Sequence, residues 1–126
     1  MTGTTLDAGA LIALEAGGRR MIALVERALQ NGTPIAIPAG VLAQAWRGGA
    51  RQVRLIRLFR ASITEIVPLD HRTAIAIGKL CGQTGAFDVV DVSVVLCARE
   101  RKHPIVTGDP DDLCVIDPTV TLMPVS

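Results

Sequence analysis

TTLDAGALIALE, residues 4–15, reads as a short strand from Thr4 to Leu6 that runs into an apolar helix from about Ala8 to Glu15, with one acid, Asp7, at the turn between them. Gly17-Gly18 ends that helix, as glycine commonly does. The same order recurs along the chain. A helix is expected from about Arg19 to Gln30, with Met21, Leu24, Val25, Ala28 and Leu29 at helical spacing and a stop at Asn31-Gly32. Pro34 to Ile37 reads as a strand, Ala39 to Arg47 as a helix broken at Gly48-Gly49, and Arg51 to Arg60 as another helix. Ile63 to Leu69 is a strand by its β-branched content, and Asp70 caps a helix reaching about Cys81. Asp88 to Arg101 is a helix apolar on most sides and therefore buried. Pro104 to Thr107 is a strand, Pro110 to Cys114 a helical turn and Val120 to Met123 a final edge strand.

Strands that alternate with helices imply a mainly parallel sheet with right-handed crossovers, a three-layer α/β sandwich. At 126 residues the chain is read as one domain, residues 1–126, without repeat, linker or low-complexity segment. Its composition is 49% hydrophobic, which fits a sheet covered on both faces and excludes a disordered chain. A net charge of +1 provides no global field for nucleic acid or membrane, so any electrostatic attraction must be local. No apolar run approaches the roughly 18 residues of a membrane span. The aromatic residues are Trp46, Phe59 and Phe87 only. That is too few to bind a single strand by stacking, so a nucleic acid would be held mainly through its phosphates. Cys81, Cys97 and Cys114 are too widely spaced for a zinc motif. Each reads as a small buried apolar residue, and the odd count with no signal peptide favours a reducing, cytoplasmic setting.

Acids occupy the strand-to-helix turns: Asp7, Asp88 with Asp91, and Asp109 with Asp111 and Asp112. Each has a plain explanation as a helix cap. Asp88 and Asp91 have capping-box spacing, and Asp109-Pro110 is a common helix start. The joint pattern asks for more, because Ser, Thr and Asn cap equally well. Asp88 and Asp91 lie one helical turn apart on one face of an apolar helix. In such sheets the functional crevice lies at the carboxyl ends of the strands. Like charges gathered there are costly without a cation. Oxygen ligands with no His or Cys nearby select Mg²⁺ or Mn²⁺ over zinc.

The segments TLDAGALIAL, IPAGVLAQAWRGG, DVVDVSVVLCA and IVTGDPDDL, in this order and at these distances, resemble PIN domains, and particularly VapC-type toxin ribonucleases. The resemblance runs through nearly the whole chain. It implies an Mg²⁺- or Mn²⁺-dependent RNA endonuclease leaving a 3′-hydroxyl and a 5′-phosphate. It also implies a cognate antitoxin protein as partner and a homodimer. Position by position, Asp7, Asp91 and Asp109 match the family's metal-binding acids, while Asp88 and Asp112 match accessory acids. Asp88 is the first candidate to orient the attacking water or take its proton, and Thr107 is an accessory residue for a water or phosphate. Gln44 departs from the pattern, since the family usually has Glu there. An amide oxygen can touch a metal but brings no charge and cannot act as a base. The alternative implied by Gln44 is a catalytically weak or inactive PIN-like module that binds RNA or a protein partner.

Arg51, Arg54, Arg57 and Arg60 recur every three residues, with Arg47 one turn before, and span about half of a helical wheel. They read as a solvated face or, functionally, as a phosphate-tracking strip in which Arg47, Arg51 and Arg54 contact RNA. Arg19-Arg20 reads as an exposed helix start, Trp46 as a packing residue, and His71 and His103 as surface residues. No Gly-rich phosphate loop supports nucleotide binding, and the paired acids at the first strand that a receiver domain would need are missing.

Overall fold

A computed structural model describes residues 2–125. Five strands form one all-parallel sheet in the order β3-β2-β1-β4-β5, where β1 is Thr4–Leu6, β2 Ile35–Pro38, β3 Thr64–Val67, β4 Ile105–Thr107 and β5 Leu122–Pro124. Seven α-helices connect them: α1 (Ala8–Glu15), α2 (Arg19–Asn31), α3 (Ala39–Ala45), α4 (Val53–Arg60), α5 (His71–Thr84), α6 (Val89–Arg101) and α7 (Pro110–Ile116). The expected α/β sandwich is thus the observed one, and the sheet is parallel throughout.

The order reverses after β3. The chain steps outward from β1 to β2 to β3, then crosses back to lay β4 on the other side of β1. Right-handed crossovers put the connections of the two directions on opposite faces. Accordingly α6 packs along β1, β2 and β4 with α5 and α7 beside it, while α1 packs against α2, α3 and α4. α6 has the apolar circumference its sequence implies: Val92, Val94 and Val95 are fully buried, with Cys97 and Ala98 close behind. Leu6, Leu11, Ile35, Ile37, Leu55 and Ile105 complete the interior.

Helix ends follow from local chemistry. Asp7, Asp70 and Asp88 each accept backbone N–H bonds at the starts of α1, α5 and α6. Gly32 and Gly85 close α2 and α5 in the left-handed conformation that glycine adopts without strain. The helix expected over Ala39–Arg47 stops at Ala45 because of Gln52. This buried amide accepts the N–H groups of Arg47 (2.7 Å) and Gly48 (3.0 Å) and donates to the Ala45 carbonyl (2.7 Å). The helix expected from Arg51 starts as a 3-10 turn, Ala50–Gln52, before α4 begins at Val53.

Two surface or core assignments are corrected. His103 is half-buried, with Nδ1 3.2 Å from the buried hydroxyl of Thr5, which also lies 3.6 Å from the Cys97 thiol. Burial and the Arg101 guanidinium hold its imidazole below its ordinary pKa. Among the cysteines only Cys97 is buried; Cys81 is half-buried, and Cys114 is exposed because it sits on the outer side of α7.

The interior predicts its own energetics. Leu55→Ala empties a fully buried position under α4 and is expected to cost about 2–5 kcal/mol. Arg57→Ala, on the exposed side of the same helix, should stay within about 0.5 kcal/mol. Chemical denaturation of the two variants measures both, and similar losses would contradict this orientation of α4.

Candidate active site

β1 and β4 are adjacent, so their carboxyl ends bring Asp7 and Asp109 to one edge of the sheet, where α6 also begins. Their closeness depends on two glycines. A Cβ on Gly9 would stand 2.7 Å from the Cα of Gly108, and one on Gly108 would stand 2.9 Å from the Cα of Gly9. The first turn of α1 therefore lies backbone to backbone against the turn after β4. The nearby glycine in each acidic segment, DAG and TGD, is the trace of this contact. The sequence reading passed over both, because a close approach is visible only once the partner strand is known.

Asp7 is buried, at 5% exposure, and fully engaged. Oδ1 accepts from the Ala10 N–H at 2.9 Å and the Gly108 N–H at 3.2 Å, and Oδ2 accepts from the Thr107 hydroxyl. The Thr107 oxygen in turn accepts the Asp109 N–H at 2.8 Å. Thr107 thus ties the two acidic turns together. Asp88 caps α6 through one oxygen, with Oδ1 3.0 Å from both the Val90 and Asp91 N–H groups, which leaves Oδ2 outside these bonds. Asp109 heads α7 without a side-chain capping bond, so its carboxylate is not spent on the helix.

Asp91 registers the sum of these charges. Burial, then the negative charges of Asp88, Asp112, Asp7 and Asp109, push its carboxyl up to about 6. The other four acids singled out for the site thus all act on Asp91 at one sheet edge, and Asp111 is not among those acting on it. No three His, Cys, Asp or Glu side chains form a ready-made metal cluster among the described residues. The geometry accounts for this: Asp7 is turned into its hydrogen bonds and Asp88 toward the backbone of α6. The donor set itself fits a hard divalent cation, because it is all carboxylate and carries an excess of negative charge that raises the Asp91 pKa.

The other candidate residues are dispersed. Gln44 is exposed on α3, one turn beyond Gly40, whose Cα faces the Val90 side chain at the start of α6. No hydrogen bond joins Gln44 to the five acids among the described residues. Arg47 donates from Nη1 to the carbonyls of Ala43 (3.1 Å) and Trp46 (2.7 Å), and Arg54 donates to the Glu15 carbonyl (3.3 Å). Both thereby neutralise helix C-termini, as cations there commonly do. Arg51 is exposed. The sequence reading did not single out Asp117, which is buried, accepts from the Thr119 hydroxyl and pairs with Arg99 at 2.7 Å. These bonds hold its carboxyl below the usual range and fasten α7 to α6, away from the acidic edge.

The PIN domain profile matches residues 4–117. The chain belongs to the PIN domain family, whose members are in general nucleases. Solved structures similar to it include VapBC2 from Rickettsia felis bound to a DNA fragment from their promoter, at 19% identity and a TM-score of 0.70 over 96% of this chain and 97% of that one. DNA-bound VapBC from Salmonella typhimurium aligns over 100% of both chains at 17% identity and a TM-score of 0.67. FitAcB from Neisseria gonorrhoeae aligns at 17% identity and a TM-score of 0.60 over 95% of this chain and 96% of that one. At these identities the likeness is one of fold. No curated protein sequence matches the chain significantly. No single helix among the described residues is long and apolar enough to cross a membrane.

Two expectations follow. A carboxyl whose folded pKa is raised binds more protons folded than unfolded, so Asp91 lowers stability above about pH 6, and that penalty fades as pH falls toward 3.8. In metal-free protein at neutral pH, Asp91→Asn should therefore raise stability by about 1 kcal/mol, a figure reduced for solvent screening of a partly exposed group. The gain should vanish in acid; denaturation across pH measures it, and a variant less stable than wild type at neutral pH would count against the charge cluster. Gly108→Ala should cost about 1–3 kcal/mol because backbone, not a mobile side chain, must yield. A thermal melt unchanged from wild type would contradict the close contact.

Proposed function

We propose that this chain, as one domain over residues 1–126, is a divalent-metal-dependent endoribonuclease and the toxin component of a toxin–antitoxin pair. The observation that carries the reading is the gathering of acids whose charges converge on Asp91 and push its carboxyl up to about 6. The similarity of fold to VapBC and FitAcB supports the toxin assignment, and the family supports the nuclease.

Asp7, Asp91 and Asp109 would hold Mg²⁺ or Mn²⁺, which when bound supplies positive charge and Lewis acidity at the scissile phosphate. Asp7 is positioned for this by Thr107 and by the Ala10 and Gly108 N–H groups, which fix the carboxylate before substrate arrives. Asp109 contributes a carboxylate that capping does not use. Asp88 serves twice: Oδ1 holds the start of α6 and Oδ2 orients the attacking water or accepts its proton. Asp112 deepens the negative field. In this reading the RNA backbone approaches along Arg51, with the remaining donors of Arg47 and Arg54 contributing. The partners are the RNA substrate, a cognate antitoxin protein and a second copy of the chain, and the setting is the cytoplasm.

The second reading, a PIN-like module that binds RNA or a protein without cutting, is favoured by Gln44, a neutral amide where an acid would complete the site. RNA cleavage with and without Mn²⁺ separates the two. Wild type is expected to cut only with metal, Asp91→Asn to lose at least about 100-fold, the scale of a lost electrostatic stabiliser of the transition state, and Gln44→Glu to cut faster. Metal-independent cutting, or full activity in Asp91→Asn, would sink the enzyme assignment. No cutting by wild type together with metal-dependent cutting by Gln44→Glu would establish the binding module.

A further inference from the structure

The sheet is covered unevenly at its β5 edge. β5 packs on β4 and on α7, which lies on the α6 side. On the other face a groove of about 540 Å³ runs between β5 and α2. Leu24 and Ala28 of α2, Val106 of β4, Met123 of β5 and Val125 just beyond it give the groove an apolar lining, and Met123 is 41% exposed. Arg20 and Arg27 line it too, exposed, seven residues apart on one face of α2 and on either side of Leu24. Neither has an ion pair or hydrogen bond among the described residues, and no acid lines the groove. The groove therefore joins an uncovered apolar floor to two unneutralised cations spaced about 10.5 Å along the helix axis.

We propose that this groove receives an amphipathic helix of a partner protein, with an apolar stripe and two acids seven residues apart. Two turns of such a helix laid along α2 repeat the Arg20–Arg27 spacing, so the acids meet the arginines while the stripe covers Leu24, Met123 and Val125. A wholly apolar occupant would strip water from both guanidiniums without replacing it, a cost that carboxylates at the matching spacing offset. A second copy of this chain lacks the match, since no two of its acids stand seven residues apart. An added strand is disfavoured by the edge itself. Thr121 and Val125 turn their backbone groups to β4, so by alternation Pro124 faces outward, where it presents no N–H. An RNA backbone would satisfy the arginines and leave the apolar floor in water. The seat also adjoins the acids: the Val125 N–H donates to the carbonyl of Thr107 (3.0 Å), whose hydroxyl holds Asp7. That the partner is an antitoxin rests on the toxin reading, whereas the chemistry of its helix rests on the groove.

The probe is a fluorescein-labelled, fifteen-residue alanine-based peptide, stapled into a helix on one face. It has leucines at its second, sixth, ninth and thirteenth positions and glutamates at its third and tenth. Fluorescence anisotropy with the full chain should show saturable binding. Arg20→Ala and Arg27→Ala should each weaken it roughly 2- to 5-fold, the range of one rim ion pair. Both positions are exposed, so thermal melts should match wild type. Moving the second glutamate to the seventh position should weaken binding by a similar factor and leave it sensitive to only one of the two arginine changes. Lysines in place of the glutamates should restore binding to the Arg20→Glu, Arg27→Glu double variant. No binding by wild type, equal binding of the two glutamate spacings, or wild-type affinity in both arginine variants would overturn the proposal. Displacement of the peptide by oligoadenylate would overturn it in favour of RNA. Loss of wild-type self-association in Met123→Asp, measured by sedimentation, would overturn it in favour of a second copy. If wild type cuts no RNA, the toxin reading fails by itself, and the anisotropy still decides the groove.

Discussion

Repulsion of the Asp91 carboxylate by Asp88, Asp112, Asp7 and Asp109 is the constraint around which this edge of the domain is arranged. Carboxylates brought together in a partly buried crevice favour their neutral forms unless something compensates. The chain compensates unevenly. Asp7, the most buried, receives two backbone N–H groups and a hydroxyl. Asp88 sits at the amino end of α6, where the helix dipole and two N–H groups favour a negative charge. Asp112 lies in the first turn of α7 and gains from the same effect. Asp91 also stands in the first turn of α6, yet burial and its four acidic neighbours outweigh that support and raise its pKa. The excess of negative charge is thus concentrated on one partly buried carboxylate while its neighbours are held by hydrogen bonds and helix starts.

That arrangement depends on strand order. β1 and β4 are neighbours in the sheet although most of the chain lies between them, and it is between them that the direction of winding reverses. At such a point the connections leave on opposite faces and a crevice opens beyond the strand ends. Here it is narrowed by the Gly9–Gly108 contact, which brings the two acidic turns as near as backbones can come. Thr107 then converts proximity into connection by donating to Asp7 and accepting from Asp109. The apolar faces of α6 and of α1 supply the burial that holds this edge against its own charge.

The alternation of strands and helices was readable from the sequence because it is written in local terms: capping aspartates, glycines past helix ends and an apolar α6. Element ends shifted by a few residues where a distant group intervened, as Gln52 does in stopping α3 at Ala45. The acids that converge on Asp91 were legible because Asp recurred at the strand-to-helix turns of that edge. Residues whose role is defined by a distant neighbour were not legible. His103 looked like a surface histidine until β1 placed Thr5 beside it. Gly9 and Gly108 carried no signal until β4 paired with β1. The exposure of Phe87 could not be inferred either, because a phenylalanine between two helices is ordinarily core.

Capping a helix and joining the acidic edge are compatible for these acids. Asp7 and Asp88 cap helices and also belong to the charged edge, because a helix start pointing at the crevice favours the same negative charge that a cation requires. This bears on Gln44. At the other turns an acid is partly stabilised by the helix it caps, whereas Gln44 lies near the end of α3, where the dipole disfavours an anion and no N–H group is free to receive one. A Glu there would have solvent, not the helix, as its compensation. An amide at this position carries no charge that the end of α3 would disfavour.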